Sequence, residues 1–84
     1  MKNTYPIVLT PIEEVYTVYV PDFGIITQGN TLVEGIKMAR DAIELTCINL
    51  VNEKKQMPEA ITLSKVVLTE GDILALVDID FAEF

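Results

Sequence analysis

Val20-Pro21-Asp22-Phe23-Gly24-Ile25-Ile26-Thr27-Gln28-Gly29-Asn30-Thr31-Leu32-Val33-Glu34 reads as five pieces of structure in fifteen residues. Val20 ends a strand, because Pro21 cannot donate to a ladder. Pro21, Asp22, Phe23 and Gly24 turn the chain, and residues 25–28 return as a short strand. Gly29-Asn30 is a second turn signal. Thr31 then caps a helix, with Glu34 three positions on, the spacing of a capping box. A strand, a turn, a strand and a capped helix in this order predict an α+β domain with one helix laid on a mainly antiparallel sheet.

Upstream, residues 4–10 alternate as a strand, with Tyr5, Ile7 and Leu9 on one side and Val8 on the other. Pro6 near its start is tolerable where a ladder hydrogen bond is not needed, as at an edge. Pro11 is expected to end it. Residues 15–20 (Val-Tyr-Thr-Val-Tyr-Val) are strong β-formers. The short Pro11-Ile12-Glu13-Glu14 connection predicts an antiparallel hairpin.

Downstream, the helix should run from Thr31 to about Asn52 or Lys54. Residues spaced at 100° sort its faces. Leu32, Ile36, Ala39, Ile43, Cys47, Leu50 and Val51 make one apolar face for the sheet. Met38, Leu45 and Ile48 lie roughly opposite, with Asp41 among them, and should be exposed. Such a stripe marks an interaction surface or scattered surface hydrophobics. Residues 61–68 fit either a strand or an ordered loop. Residues 73–79 form the last strand, and their near-continuous apolar run predicts a central place in the sheet.

The 84 residues make one domain, which buries only about 60–65% of its unfolded surface. Such small domains usually gain stability from disulfides, metal or association. Cys47 is the only cysteine and histidine is absent, so an internal disulfide and the usual zinc sets are excluded. Association remains, with a partner or as a homo-oligomer. Cys47 sits mid-face and reads as a small buried hydrophobe. The N-terminus lacks an apolar signal core and no run approaches ~20 apolar residues, so we expect a soluble cytoplasmic protein without membrane contact.

Thirteen acids against six bases give a net charge of −7. Nucleic-acid binders carry a basic patch, so direct nucleic-acid binding by this chain is not expected. A basic partner is favoured, because opposite charge speeds encounter. The same charge also keeps a small protein soluble.

Catalysis finds little support. There is no histidine base, no phosphate-binding glycine loop and no activated nucleophile. Ser64 beside Lys65 is not a dyad, since adjacent side chains diverge. Asp78 and Asp80, with Asp22, are the residues a Mg²⁺-dependent nuclease would use. Strand-end acids also blunt a sheet edge, and that reading is preferred. No catalytic, cofactor or metal residue is assigned.

The chain resembles the HicB-like antitoxins of type II toxin–antitoxin systems. The matching residues are Tyr5-Pro6-Ile7-Val8-Leu9, then Tyr16-Thr17-Val18-Tyr19-Val20-Pro21-Asp22-Phe23. Thr27-Gln28-Gly29-Asn30-Thr31-Leu32-Val33-Glu34-Gly35, Ala39-Arg40-Asp41-Ala42-Ile43-Glu44, Pro58 and Leu76-Val77-Asp78-Ile79-Asp80 continue the pattern. Departures fall at Glu14-Val15, where glycine often precedes the tyrosine, at Phe23-Gly24, where Pro-Gly is common, and at Gly35, where alanine is usual. The resemblance implies a partial ribonuclease-H-like fold, β-β-β-α-β, without that nuclease's acids. It further implies neutralisation of a small basic toxin, HicA, which cleaves mRNA with a histidine, by covering its RNA-binding and catalytic surface. Many relatives add a C-terminal DNA-binding segment. Here one domain over residues 1–84 without such a segment is expected.

Two other functions compete with a binding role: a structural oligomerisation module, and a ribonuclease-H-related nuclease. Electrostatics, apart from any resemblance, singles out Glu13, Glu14 and Asp22 on the first loops as acids facing a basic partner. Met38, Asp41, Leu45 and Ile48 complete the expected interaction residues.

Overall fold

A computed structural model describes residues 2–60 and 63–80. The order is β1 (Lys2–Ile12), β2 (Val15–Val20), β3 (Ile25–Gly29), α1 (Leu32–Asn52), a 3-10 turn (Leu63–Lys65) and β4 (Ile73–Asp80). The four strands make one antiparallel sheet in the order β3-β2-β1-β4. This is the expected α+β arrangement, β-β-β-α-β.

The last strand is at an edge, not at the centre. β1 is the inner strand, paired with both β2 and β4. The apolar run of β4 has a different cause. Ile73, Ala75, Val77 and Ile79 alternate with Leu74 and Leu76, and the second pair points to the face without the helix, where both are exposed. Two apolar faces made the run, not two neighbouring strands.

β1 also continues through Pro11. Its pairing with β4 covers Lys2 to Leu9, and its pairing with β2 covers Val8 to Ile12. Pro6 and Pro11 therefore each stand where β1 has one neighbour, the condition under which a strand accommodates proline. The hairpin closes at Ile12 and Val15, so its turn is Glu13-Glu14 alone, with Glu13 at a φ of 55°.

One face of the sheet carries the core. Tyr5, Ile7, Leu9, Val18, Val20, Val77 and Ile79 meet Ala39, Ile43 and Cys47 of α1. Each fully buried aliphatic side chain here contributes about 1.5–3 kcal/mol. Leu32, Ile36 and Leu50 are half-buried at the margin. Val51 is exposed, contrary to its assignment to the core face. It lies at the flank of that face, in the last turn of the helix. Cys47 is fully buried, and burial, with Glu44 nearby, pushes its thiol pKa up. A raised pKa keeps it a thiol rather than a reactive thiolate.

The helix starts as its sequence dictates. Glu34 N donates to Thr31 Oγ1 at 3.0 Å, while Asn30 N donates to Glu34 Oε1 at 3.2 Å. The returning carboxylate thus reaches one residue beyond the usual capping-box position. Two glycines let the helix approach the sheet. A Cβ on Gly29 would lie 2.4 Å from Gly35 N, and one on Gly35 would lie 3.0 Å from Leu9 Cδ2. At the other end, Lys54 N donates to Val51 O and Lys55 N to Leu50 O, with Lys54 at a φ of 58°. That is a Schellman ending with lysine in the position that favours glycine.

After the helix the chain crosses to the opposite face. Tyr5 Oη donates to Pro58 O at 2.8 Å, and Phe23 packs edge-on against the Tyr5 ring with centroids 4.9 Å apart. Burial raises the Tyr5 pKa, so the phenol keeps the proton it donates. Residues 66–69 have no regular structure, and Ile61 and Thr62 lie outside the described residues. Asp72 anchors the return: Thr10 Oγ1 donates to its Oδ1, and Thr69 N and Oγ1 donate to its Oδ2. No helix among the described residues is long and apolar enough to cross a membrane.

Candidate protein-binding surfaces

The helix covers one side of the sheet and leaves the other without a helix. Register places Ile26, Tyr19, Val8 and Leu74 in one cross-strand row over all four strands. Pro6 pairs with Leu76 beside it. Pro6 and Val8 are buried nonetheless, although no helix lies on them. The connection between α1 and β4 runs beside Val8. Its Lys65, Val66 and Val67 form, with Val8, Tyr19 and Pro21, an open groove of about 240 Å³. We call residues 63–69 the strap. Exposed apolar groups surround it, chiefly Ile26 at 77% and Val67 at 83%.

The acids of this outer face come from β4 and its approach. Asp78 and Asp80 alternate outward at the end of the strand, opposite Thr4 and Lys2. Thr4 Oγ1 donates to Asp78 Oδ1 at 2.6 Å. Asp72 completes the series. Its pKa is lowered by the Thr69 amide, the Thr10 hydroxyl and the Thr69 hydroxyl, in that order, so it stays charged at neutral pH.

The residues expected from the sequence fall in three separate places. Glu13 and Glu14 are exposed at the β1–β2 turn. Asp22 is half-buried in the β2–β3 turn, at the other end of β2, about 17 Å away along the strand. Its charge acts on Tyr5, toward the core. Met38, Asp41, Leu45 and Ile48 are exposed on the outer side of α1, Leu45 at 62%. No single partner-facing patch unites these seven. The nuclease alternative needed Asp22 to join Asp78 and Asp80. Among the described residues no group of three or more His, Cys, Asp or Glu is placed to hold a metal ion.

Sequence reasoning missed the outer row. Its signal was present: Val8 was out of phase with Tyr5, Ile7 and Leu9, and Leu74 and Leu76 were out of phase with Val77 and Ile79. Only strand register brings them to one face.

Charge divides unevenly along the chain. Residues 31–55, the cap, helix and final turn, contain four acids (Glu34, Asp41, Glu44, Glu53) and four bases (Lys37, Arg40, Lys54, Lys55). That segment is neutral. The rest of the chain has nine acids against two lysines and so contains the whole net charge of −7.

The family model described as HicB_like antitoxin of bacterial toxin-antitoxin system matches residues 5–84. A solved structure described as a toxin–antitoxin complex from Streptococcus pneumoniae includes a chain that superposes with a TM-score of 0.85. The alignment covers 99% of this chain and 72% of that one at 21% identity, which shows a shared fold. Among curated proteins no sequence matches.

Proposed function

The chain belongs to the HicB-like antitoxins of bacterial toxin–antitoxin systems, and from that premise we propose that it neutralises a small basic HicA-type toxin by binding. The toxin cleaves mRNA with a histidine; the antitoxin covers its RNA-binding and catalytic surface. The observation that carries this reading is the family match over residues 5–84. The net charge of −7 supports it, because a protein that binds RNA is basic and is steered toward an acidic one. The work is done by an interface, so no cofactor or catalytic residue is needed. The same charge disfavours direct contact between this chain and nucleic acid, and an mRNA-cleaving partner places the pair in the cytoplasm.

Purification of a tagged chain, co-expressed with the small basic histidine-bearing protein of the adjoining gene, tests the proposal. An equimolar complex is expected. Absence of such a neighbour, or of a complex with it, refutes the reading.

A homo-oligomer is the second reading, favoured by the exposed stripe of Met38, Leu45 and Ile48 on an electrically neutral helix. Replacing Met38 and Leu45 by glutamate should then lower the solution mass to that of a monomer.

A further inference from the structure

We propose that the basic toxin docks on the outer face of the sheet, at the groove between the strap and β1–β2, and not on the outer side of the helix. This rests on the antitoxin reading above.

Among the described residues, the outer side of the helix and the outer face of the sheet both expose apolar side chains, and charge separates them. On the helix side, Met38 and Leu45 lie on a segment whose acids and bases cancel. Lys37 and Arg40 there offset Asp41 and Glu44, so the helix offers a basic partner no net attraction. The excess of acid lies outside the helix segment. Asp72, Asp78 and Asp80 belong to the outer face by contact or by register, and Lys65 is the one base lining the groove. An apolar centre with a polar, charged rim is the usual anatomy of a specific interface.

The groove adds shape. Val8, Tyr19, Pro21, Val66 and Val67 line it, with Lys65. An apolar side chain of the toxin fits there as an anchor, with Ile26 and Val67 sealing the contact from water. Anchors in such pockets dominate binding energy.

Two double variants with the same change of charge isolate the location. Ile26→Lys with Val67→Lys alters the outer face; Met38→Lys with Leu45→Lys alters the helix. Ile26 and Val67 are both more than three-quarters exposed, so the fold survives their replacement, which thermal unfolding verifies. The probe is the basic protein of the adjoining gene with its histidine replaced by alanine. Calorimetric titration should show affinity lower by roughly 100-fold for the outer-face pair and by less than about threefold for the helix pair. A larger loss for the helix pair, or no loss for either, overturns the placement while leaving the antitoxin reading intact. No binding by the unaltered chain overturns both. Amide exchange provides a check without mutation: residues 63–69 should slow in the complex, and unchanged exchange there refutes the location.

Discussion

Replacing Gly29 by alanine should damage this fold far more than replacing Gly35, although the two glycines touch. The difference follows from what each new methyl group meets. At Gly29 it would lie 2.4 Å from Gly35 N, 2.7 Å from Gly35 Cα and 2.9 Å from the Glu34 carbonyl carbon. Ordinary contact begins at 3.4 Å, so the end of β3 and the first turn of α1 must part by about 1 Å. All three atoms are backbone and cannot rotate aside. Overpacking of this kind costs about 1–3 kcal/mol. The stiffer unfolded chain returns about 0.4–1 kcal/mol at most. A net loss of about 1–2 kcal/mol is a large share of the roughly 4–12 kcal/mol available to a chain of this length. It lowers the melting temperature by about 4–16 °C.

At Gly35 the methyl group meets side-chain ends instead, Leu9 Cδ2 at 3.0 Å and Val18 Cγ2 at 3.2 Å. These yield by a few tenths of an ångström. Alanine also improves helix propensity by about 1 kcal/mol, so the two effects nearly cancel. Melting followed by circular dichroism at equal concentrations decides. Gly35→Ala should fall within about 4 °C of the parent. A Gly29→Ala protein as stable as the parent, or less damaged than Gly35→Ala, would refute the close-approach argument.

Three smaller changes test other joints. Lys54→Gly should raise stability by about 1 kcal/mol, since lysine holds a left-handed φ that glycine adopts freely; urea unfolding gives the value, and a loss contradicts the cap assignment. Tyr5→Phe removes the donor to Pro58 O and should cost about 1 kcal/mol, with faster amide exchange in residues 57–60 as the local sign. Asp72 has a depressed pKa in the folded state, so its contribution is complete above the ordinary carboxylate pKa of about 3.9 and is lost as pH falls through the lowered value. Asp72→Asn should therefore flatten the acid limb of stability against pH, and an identical limb would refute that linkage.

Local chemistry carried much of the architecture into the sequence. Residues 20–34 announced their turns and the Thr31 cap because Pro, Gly, Asn and Thr act through their own backbone and nearest neighbours. Helical spacing likewise found Ala39, Ile43 and Cys47 as core, and Met38, Leu45 and Ile48 as exposed. Long-range pairing was less legible. An apolar run such as residues 73–77 looks the same whether two strands flank it or two apolar faces share it, so β4 was set at the centre when it is at an edge. The strap had no periodicity to announce that it runs beside Val8. The outer row of Ile26, Tyr19, Val8 and Leu74 draws one residue from each strand, and it exists only once register is known. The neutrality of residues 31–55 needed only counting, once the helix bounds were drawn.

The central claim is that this chain silences a toxin by covering it. Titration into an RNA-cleavage assay of the adjoining gene's basic protein measures that most directly. Cleavage should fall in proportion to added antitoxin and cease near an equimolar ratio. Undiminished cleavage at a large molar excess of folded chain would contradict it.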